Sequence, residues 1–193
     1  PALVYVVVTV VLLLAFLIIA YPLVIALGAK LDPFTFIRKI ANVAVFGFST
    51  SSSAATLPLN IKVCEEEFGV DESIASFVLP LGMTINMDGT AIYQCVATIF
   101  LATCCGMTLT LGQMVTIVVT ATLASIGTAG TPGAGMIMLA MVLQAMNIPV
   151  DMIMIIYGVD RLFDMGRTCL NITGDISCAL CVTKWESKKT AVK

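Results

Sequence analysis

The chain has 193 residues, of which 59% are hydrophobic and 11% charged, with a formal net charge of −2 and no histidine. Ordinary soluble domains carry about 25% charged residues, and a domain of this size cannot bury so much apolar surface. The 62 consecutive residues between Asp88 and Asp151 contain no Asp, Glu, Lys or Arg. The composition predicts a membrane protein with several spans, and it excludes a soluble globular domain, a disordered chain and a nucleic-acid binder.

Hydropathy divides the chain into five apolar segments. The first, residues 1–30, is long enough to cross about 30 Å of hydrocarbon, and it lacks the basic leader of a signal peptide. Because this run opens at Pro1 and not at a methionine, we expect the chain to be the C-terminal part of a longer protein. The other four segments are residues 33–68, 72–104, 110–148 and 151–184, and a Lys-rich tail covers residues 185–193.

Three of these segments are broken near their middle by residues that oppose a continuous helix. Ser49–Pro58 is rich in small hydroxyl residues, Asn86–Thr90 reads NMDGT, and Gly127–Gly135 holds four glycines and a proline. Non-helical backbone at membrane depth must be buried in protein or line a polar cavity. Paired broken segments are typical of transporters built from internal repeats. The breaks therefore predict one polar site at the middle of the membrane.

The basic residues indicate how the broken segments lie in the membrane. Segment 33–68 has Lys or Arg near both ends, so a re-entrant hairpin places all of them on the cytoplasmic side. Segment 110–148 has no Lys or Arg at either end, which favours a second hairpin that enters from outside. With three spanning helices, the C-terminus and its lysines are then cytoplasmic. We expect a multi-pass protein of the cell membrane.

The last segment carries a stripe of polar residues. At about 100° per residue, six polar residues fall within an arc of about 100°, and Arg161 falls outside it. Each charge costs about 2.5–3.5 kcal/mol at the bilayer centre on insertion scales, so the stripe needs either a ligand or ion pairs that hold helices together. The six residues are Asp160, Asp164, Arg167, Thr168, Asn171 and Asp175.

The charged side chains match a dipolar ligand and a cation. The Arg167 fork suits a carboxylate held by two hydrogen bonds, and Asp164, one turn earlier, can accept an α-ammonium. Asp88 and Asp175 are hard oxygen ligands that suit Na⁺ together with backbone carbonyls. Asp88 has no basic residue nearby in the sequence, which favours cation binding. These residues predict a site for an acidic amino acid with sodium beside it.

Four motifs follow one another along the chain: Ser51–Pro58, Asn86–Thr90, Gly127–Gly135 and Asp164–Asp175. Together they resemble the glutamate transporter family, the dicarboxylate/amino acid:cation symporters, and within it the prokaryotic-type sodium-coupled acidic amino-acid transporters. The resemblance implies an all-α membrane protein in which residues 1–193 form the C-terminal part of the transport domain, with two re-entrant helical hairpins and three transmembrane helices. It also implies N-terminal scaffold helices, a homotrimer and an elevator-type alternating-access mechanism.

The resemblance further implies roles for individual residues. Arg167 and Thr90 hold the side-chain carboxylate of the substrate, Asp164 holds its amino group, and the hairpin tips close over it. The implied substrate site is Ser53, Thr90, Thr131, Gly135, Asp164, Arg167, Thr168 and Asn171. The implied sodium sites are Gly82, Asn86, Asn171 and Asp175 for the first, Thr84, Ser125, Ile126 and Thr128 for the second, and Asn86 and Asp88 for the third. Sodium is expected as a co-transported ion at two to three sites, without an organic cofactor.

Several alternatives remain open on sequence alone. Within the family, Asp164 favours an amino acid over a C4-dicarboxylate, Arg167 favours an acidic substrate over a neutral one, and Gln94 stands where proton-coupled members carry a glutamate. A cystine or C4-dicarboxylate symporter remains an alternative. In other classes, an ion channel with the tips as filter and gate and a structural membrane subunit remain. An enzyme is not expected, because a chain without histidine has no Ser/His/Asp or Cys/His set.

Overall fold

The computed structural model describes the backbone of residues 2–191 and the side chains of residues 2–188. Within this range every regular element is a helix, so the predicted all-α class is confirmed. The helices are α1 (Ala2–Ala29), α2 (Pro33–Thr50), α3 (Ser53–Phe68), α4 (Glu72–Ile85), α5 (Asp88–Cys104), α6 (Leu111–Ile126), α7 (Ala134–Ala145) and α8 (Tyr157–Ala191), with a 3₁₀ turn at Val150–Ile155 before α8.

Helix α1 follows the predicted first segment. It is the one helix in the described range that is long and apolar enough to cross a bilayer, by length and composition. Two stretches of it, Phe16–Ala20 and Ile25–Ala29, are π-helical, and π turns are common at functional positions. The helix ends at Lys30, which has a left-handed backbone with φ 55°. Pro1, the first residue of the predicted segment, lies outside the described residues.

Helices α2 and α3 form the first predicted hairpin. Asp32 caps α2 by accepting a hydrogen bond from the Thr35 backbone N–H at 2.8 Å, and the Thr35 hydroxyl also donates to this carboxylate. These hydrogen bonds hold the pKa of Asp32 below its ordinary value, because they favour the charged form. Ser52 caps α3 by accepting from the Ala55 N–H at 3.1 Å. The hairpin is therefore closed by side-chain caps at the start of both helices.

The first break is shorter than its sequence predicts. Only Ser51 and Ser52 separate α2 from α3, and Pro58 lies inside α3. The Ser49 hydroxyl donates to the carbonyl four residues earlier at 2.8 Å, and the Thr50 hydroxyl does so at 3.0 Å. Because these hydroxyls bond to the preceding turn, α2 continues through Thr50 and ends only at Ser51.

Helices α6 and α7 form the second hairpin, and its tip meets the tip of the first. The carbonyl oxygen of Gly130 accepts hydrogen bonds from the Ala54 N–H at 3.0 Å and from the Ser52 hydroxyl at 2.9 Å. A Cβ at Gly130 would lie 3.2 Å from the Ala54 nitrogen, so a glycine permits this close approach. The tips of the two broken segments are thus in contact.

Helix α8 is the central element of the structure. It packs against α1, α2, α3, α4 and α5, while α6 and α7 pack against α5 and each other. One apolar cluster, which includes Val43, Leu79 and Ile176, joins α8 to the first hairpin and α4. A second, which includes Leu143 and Phe163, joins α8 to α5 and the second hairpin. The polar residues of α8 lie between these two clusters.

The bounds of α8 differ from the predicted segment 151–184. The helix begins at Tyr157, after the 3₁₀ turn, and runs to Ala191. The predicted tail at 185–193 is therefore helical as far as residue 191, and residues 192 and 193 lie outside the described residues. The tail contains no Gly or Pro, so nothing in its local sequence ends the helix at residue 184.

Replacement of Gly89 by Ala is expected to destabilise the fold, because α5 and α8 approach closely there. A Cβ at Gly89 would lie 2.7 Å from the Arg167 carbonyl oxygen and 2.8 Å from its Cα. Overpacking of this kind costs about 1–3 kcal/mol. Thermal unfolding of the purified protein in detergent should show a lower midpoint. Gly112→Ala is the matched control, since nothing lies within 4 Å of a Cβ there; equal midpoints for both variants would contradict the prediction.

Candidate functional site

Residues 86 and 87 form an unwound joint between α4 and α5. One residue of α8, Asn171, holds this joint in place. The Gly89 N–H donates to Asn171 Oδ1 at 2.8 Å, and Asn171 Nδ2 donates to the Thr90 hydroxyl at 3.2 Å. On the other side of the joint, Asn86 Nδ2 donates to the Asn171 carbonyl oxygen at 3.0 Å. The side chain and the carbonyl of a single residue therefore satisfy polar groups on both sides of the broken helix, as buried non-helical backbone requires.

The eight residues predicted for substrate binding line one cavity. It lies between the two hairpin tips, the start of α5 and the middle of α8. Met87 and the second-tip backbone from Thr128 to Gly130 also line it. Their roles in binding stay a prediction, but residues spread over more than a hundred positions in sequence are brought to one place. The eight are Ser53, Thr90, Thr131, Gly135, Asp164, Arg167, Thr168 and Asn171.

Arg167 is the most deeply placed charge in this cavity, with 2% of its surface exposed. Its Nε and Nη2 donate to Asp164 Oδ1 at 3.0 and 2.8 Å. Its Nη1 lies 3.6 Å from Asp160 Oδ1, and its guanidinium carbon lies 4.3 Å from the centre of the Tyr93 ring. A guanidinium keeps its charge when buried, so its burial is costly unless it is paired, and here two carboxylates and an aromatic face surround it.

The polar stripe of α8 lies inside the protein. All six residues of the polar stripe are buried, whereas the side chain of Arg161, placed outside the stripe, is 60% exposed. Arg161 Nη1 still lies 3.9 Å from Asp164 Oδ2, so it adds a positive charge at the solvent-facing edge of the site. Leu162, next in the chain, is also exposed.

The second hairpin tip covers the Arg167–Asp164 pair. The Gly133 N–H donates to Asp164 Oδ2 at 2.9 Å, and Gln94 Nε2 donates to the Gly135 carbonyl oxygen at 3.3 Å. A Cβ at Gly135 would lie 2.7 Å from the guanidinium carbon of Arg167, so only glycine lets the tip come this close. The tip is therefore joined to the ion pair and to α5.

The first predicted sodium set is assembled around Asn86. Its amide Nδ2 donates to Asp175 Oδ1 at 3.0 Å as well as to the Asn171 carbonyl, and its backbone N–H donates to the Gly82 carbonyl at 2.7 Å. Asp175 Oδ2 is buried and has no hydrogen-bond partner in the described part of the chain. An acceptor in this state fits a cation that needs oxygen ligands.

The second predicted set lies at the ends of two helices. Ser125, Ile126 and Thr128 are together at the end of α6, where the Ser125 carbonyl accepts from the Thr128 N–H at 3.0 Å. Thr84 is in the last turn of α4 and exposed, and its hydroxyl donates to the Leu81 carbonyl at 2.9 Å. Helices α4 and α6 pack against each other, but no hydrogen bond recorded for these residues joins Thr84 to the other three.

The third predicted set, Asn86 and Asp88, lies on the two sides of the unwound joint. Asn86 faces Asp175, as described above, while Asp88 Oδ2 accepts a hydrogen bond from the Tyr21 hydroxyl at 2.8 Å. The structure therefore gives Asp88 a partner on α1 that the sequence analysis does not name. A phenol from another helix therefore contacts one of the two residues of this predicted set.

Three residues close to the predicted ligands are missing from the sequence analysis as site residues. Asp160 was placed in the polar stripe without a role, although its spacing of seven residues from Arg167 puts both on one helical face. Tyr93 and Tyr21 contact Arg167 and Asp88 across helices, and no local pattern marks such contacts. Only the first of the three could have been found from spacing.

Comparison with known proteins finds one family model and several relatives that are named as amino acid transporters. A model described as the sodium:dicarboxylate symporter family matches residues 1–185. An excitatory amino acid transporter of Caenorhabditis elegans is 45% identical over 158 residues, which are 82% of this chain and 31% of that protein. Excitatory amino acid transporter 1 of Rattus norvegicus is 44% identical over 171 residues, 89% of this chain and 32% of the relative. Neutral amino acid transporter B(0) of Homo sapiens is 44% identical over 158 residues, 82% of this chain and 29% of the relative.

The matches carry two further facts. The chain spans about a third of the length of the curated relatives it matches, since it covers 31%, 32% and 29% of these three. The three relatives are animal proteins, and the prokaryotic type suggested by the motifs stays a prediction. The family model covers almost the whole chain. The chain therefore belongs to the sodium:dicarboxylate symporter family.

Proposed function

We propose that this chain is the C-terminal part of a sodium-coupled symporter for acidic amino acids, aspartate or glutamate. The observation that carries the proposal is the buried pair of Arg167 and Asp164, which lies in one cavity beneath two hairpin tips. In the proposal the chain works with N-terminal scaffold helices, assembles as a homotrimer and moves as an elevator. Its role is transport and not catalysis.

The Arg167–Asp164 pair suits a ligand that carries both charges. A carboxylate can replace Asp164 at the guanidinium, and an ammonium can replace the guanidinium at Asp164. After this exchange every buried charge again has a partner, so the exchange avoids the cost of an isolated charge in a low-dielectric site. A ligand with carboxylates but no ammonium would leave Asp164 without a cation on its buried side. The geometry therefore supports a dipolar substrate, and the α-carboxylate is left for Ser53, Thr168 and the second tip.

Sodium fits the negative charge on the other side of the joint. Neither Asp88 nor Asp175 lies within ion-pair distance of a Lys or Arg in the described side chains. A cation bound beside Asp88 and Asp175 would supply the positive charge that no basic side chain gives them. Asn171 contacts both regions, with its side chain at the substrate cavity and its carbonyl at Asn86. A cation that fixes the Asn171 carbonyl therefore also fixes groups that line the substrate cavity.

The names of the relatives support amino acid transport and leave its specificity to the site. They include excitatory and neutral amino acid transporters, whereas the side chain at position 167 here is a buried arginine. A neutral substrate side chain offers the Arg167 guanidinium no carboxylate to bind. The buried arginine therefore favours an acidic substrate. A cystine or C4-dicarboxylate symporter is the alternative that the competition experiment below distinguishes.

The family is one of membrane transporters, and we propose the following arrangement for this chain. Segments 1–30, 72–104 and 151–184 cross the cell membrane, and the hairpins 33–68 and 110–148 enter it from opposite sides. The meeting of the two tips at Gly130 supports this arrangement, because hairpins from opposite sides meet only near the middle of the membrane. The C-terminus is then cytoplasmic.

Replacement of Arg167 by Ala should weaken the binding of aspartate and glutamate by about a hundredfold, because it removes the partner of a buried carboxylate. The measurement is titration calorimetry on the full-length protein in detergent with saturating sodium. Arg38→Ala is the matched control, since Arg38 is exposed on α2 and should leave the affinity within about threefold.

The same titrations test the coupling to sodium. Choline in place of sodium should abolish aspartate binding to the wild-type protein. Unchanged affinity in the Arg167 variant would contradict the assignment of the carboxylate, and binding that persists in choline would contradict the symport itself. Conductance without saturable uptake in liposomes would favour the ion channel.

Competition among ligands tests the role of Asp164. Labelled aspartate should be displaced by glutamate but not by succinate, which has the two carboxylates and no ammonium, because succinate leaves Asp164 unpaired. The Asp164→Asn variant should reduce this preference by about tenfold or more, since the loss of one charge-assisted partner is worth about 1.5–3 kcal/mol. Displacement by cystine would identify the cystine symporter, and stronger displacement by succinate would exclude the role given to Asp164.

A further inference from the structure

Tyr21 is presented by an unusual part of α1. It lies between the two π-helical stretches Phe16–Ala20 and Ile25–Ala29, and its own N–H bonds to the carbonyl of Phe16, five residues earlier. A π turn shifts the direction of every following side chain relative to a regular α-helix. The ring is 5% exposed and packs edge-on against Phe16, with centroids 5.5 Å apart. The helix therefore holds this ring in one orientation.

The hydroxyl of Tyr21 reaches a polar cluster that none of its apolar neighbours enters. The ring packs with Leu13 and Leu170, while the hydroxyl donates to Asp88 Oδ2 at 2.8 Å. A Cβ at Gly174 would overlap both this hydroxyl and the Asn86 amide. A glycine in α8 thus leaves the space in which α1, the unwound joint and α8 bring their polar groups together.

The charged groups described in this cluster are all negative. The cluster contains two carboxylates, Asp88 and Asp175, and an oxygen of Asp175 that has no hydrogen-bond partner in the described residues. No Lys or Arg side chain whose contacts are described forms an ion pair with either carboxylate. A phenol uses its proton to bind one carboxylate and keeps lone pairs on the oxygen. One hydroxyl can therefore donate to Asp88 and present an oxygen to a cation at the same time.

We propose that Tyr21 is part of the cation site at Asp88, where its hydroxyl orients the carboxylate and supplies a neutral oxygen to the sodium ion. The inference rests on the sodium coupling proposed above and adds a residue from α1 to it. A neutral ligand from a third helix raises the number of oxygens without raising the negative charge, which favours a monovalent cation over a divalent one. Tyr21 then also links α1 to the occupancy of the site.

The test is direct binding of radioactive sodium to the full-length protein in detergent, without any amino acid present. Tyr21→Phe keeps the ring in its apolar cluster and removes only the hydroxyl. It should raise the sodium concentration for half-saturation by about tenfold, the effect of losing one hydrogen bond to a charged group, and it should change the relative affinity for lithium. Tyr157→Phe is the matched control, because Tyr157 is 63% exposed and should bind sodium as the wild type does.

A double-mutant cycle with Asp88→Asn separates a ligand from a merely structural contact. If both residues serve one site, Tyr21→Phe has little further effect on sodium binding in the Asp88→Asn background. Wild-type sodium affinity in Tyr21→Phe, or fully additive effects in the double variant, would overturn the proposal. Sodium binding that depends on Tyr21 in a protein that binds no aspartate would overturn the proposed substrate and leave this inference standing.

Discussion

The burial of the Arg167 guanidinium constrains the rest of the structure. A guanidinium that is 2% exposed among apolar helices keeps its charge, so its burial is tolerated only when carboxylates surround it. Both carboxylates, Asp160 and Asp164, are supplied by α8 itself, so the helix carries a balanced group into the centre of the protein. The helices around it then need small residues at the points of contact. Gly135 at the second tip meets this need at the guanidinium itself, and Gly89 on α5 meets it at the Arg167 backbone, since a Cβ at either would lie within 3.0 Å of an atom of Arg167.

A second buried polar region lies two turns further along α8 and has the opposite balance. Asp175 and Asp88 face each other across the joint without a basic side chain in the part of the chain whose side chains are described. Neutral donors, the Asn86 amide and the Tyr21 hydroxyl, reduce the cost of their burial but add no positive charge. A balanced region exchanges partners with a dipolar ligand, whereas an excess of negative charge attracts cations. In the proposed function, one helix thus separates the substrate from the cation by the balance of charge beside each.

The sequence predicts the parts of this arrangement that depend on local pattern. Asp164 and Arg167 stand out because charges in an apolar helix recur at helical spacing, and the second tip stands out because glycine and proline interrupt an apolar run. Pattern fails where tertiary contact decides. Tyr21 and Asp88 are 67 residues apart, and π turns inside α1 leave no mark in composition. Pro58 reads as part of a break but lies within α3, because the break is limited to Ser51 and Ser52 and the Ser52 hydroxyl caps the new helix.

In the proposed symport, Asn171 is the residue that would couple cation and substrate, because it contacts both predicted sites. Its side chain bonds to Gly89 and Thr90 at the substrate cavity, and its carbonyl accepts from Asn86 beside Asp175. A ligand in either region restricts the same residue and the same unwound joint, so the second ligand meets a site that is already ordered. Coupling of this kind is reciprocal, since each ligand must raise the affinity of the other by the same factor. Asn171 supplies hydrogen bonds that a continuous helix would give to the backbone of the unwound joint. The joint can therefore transmit this coupling without a change in the packing of α8.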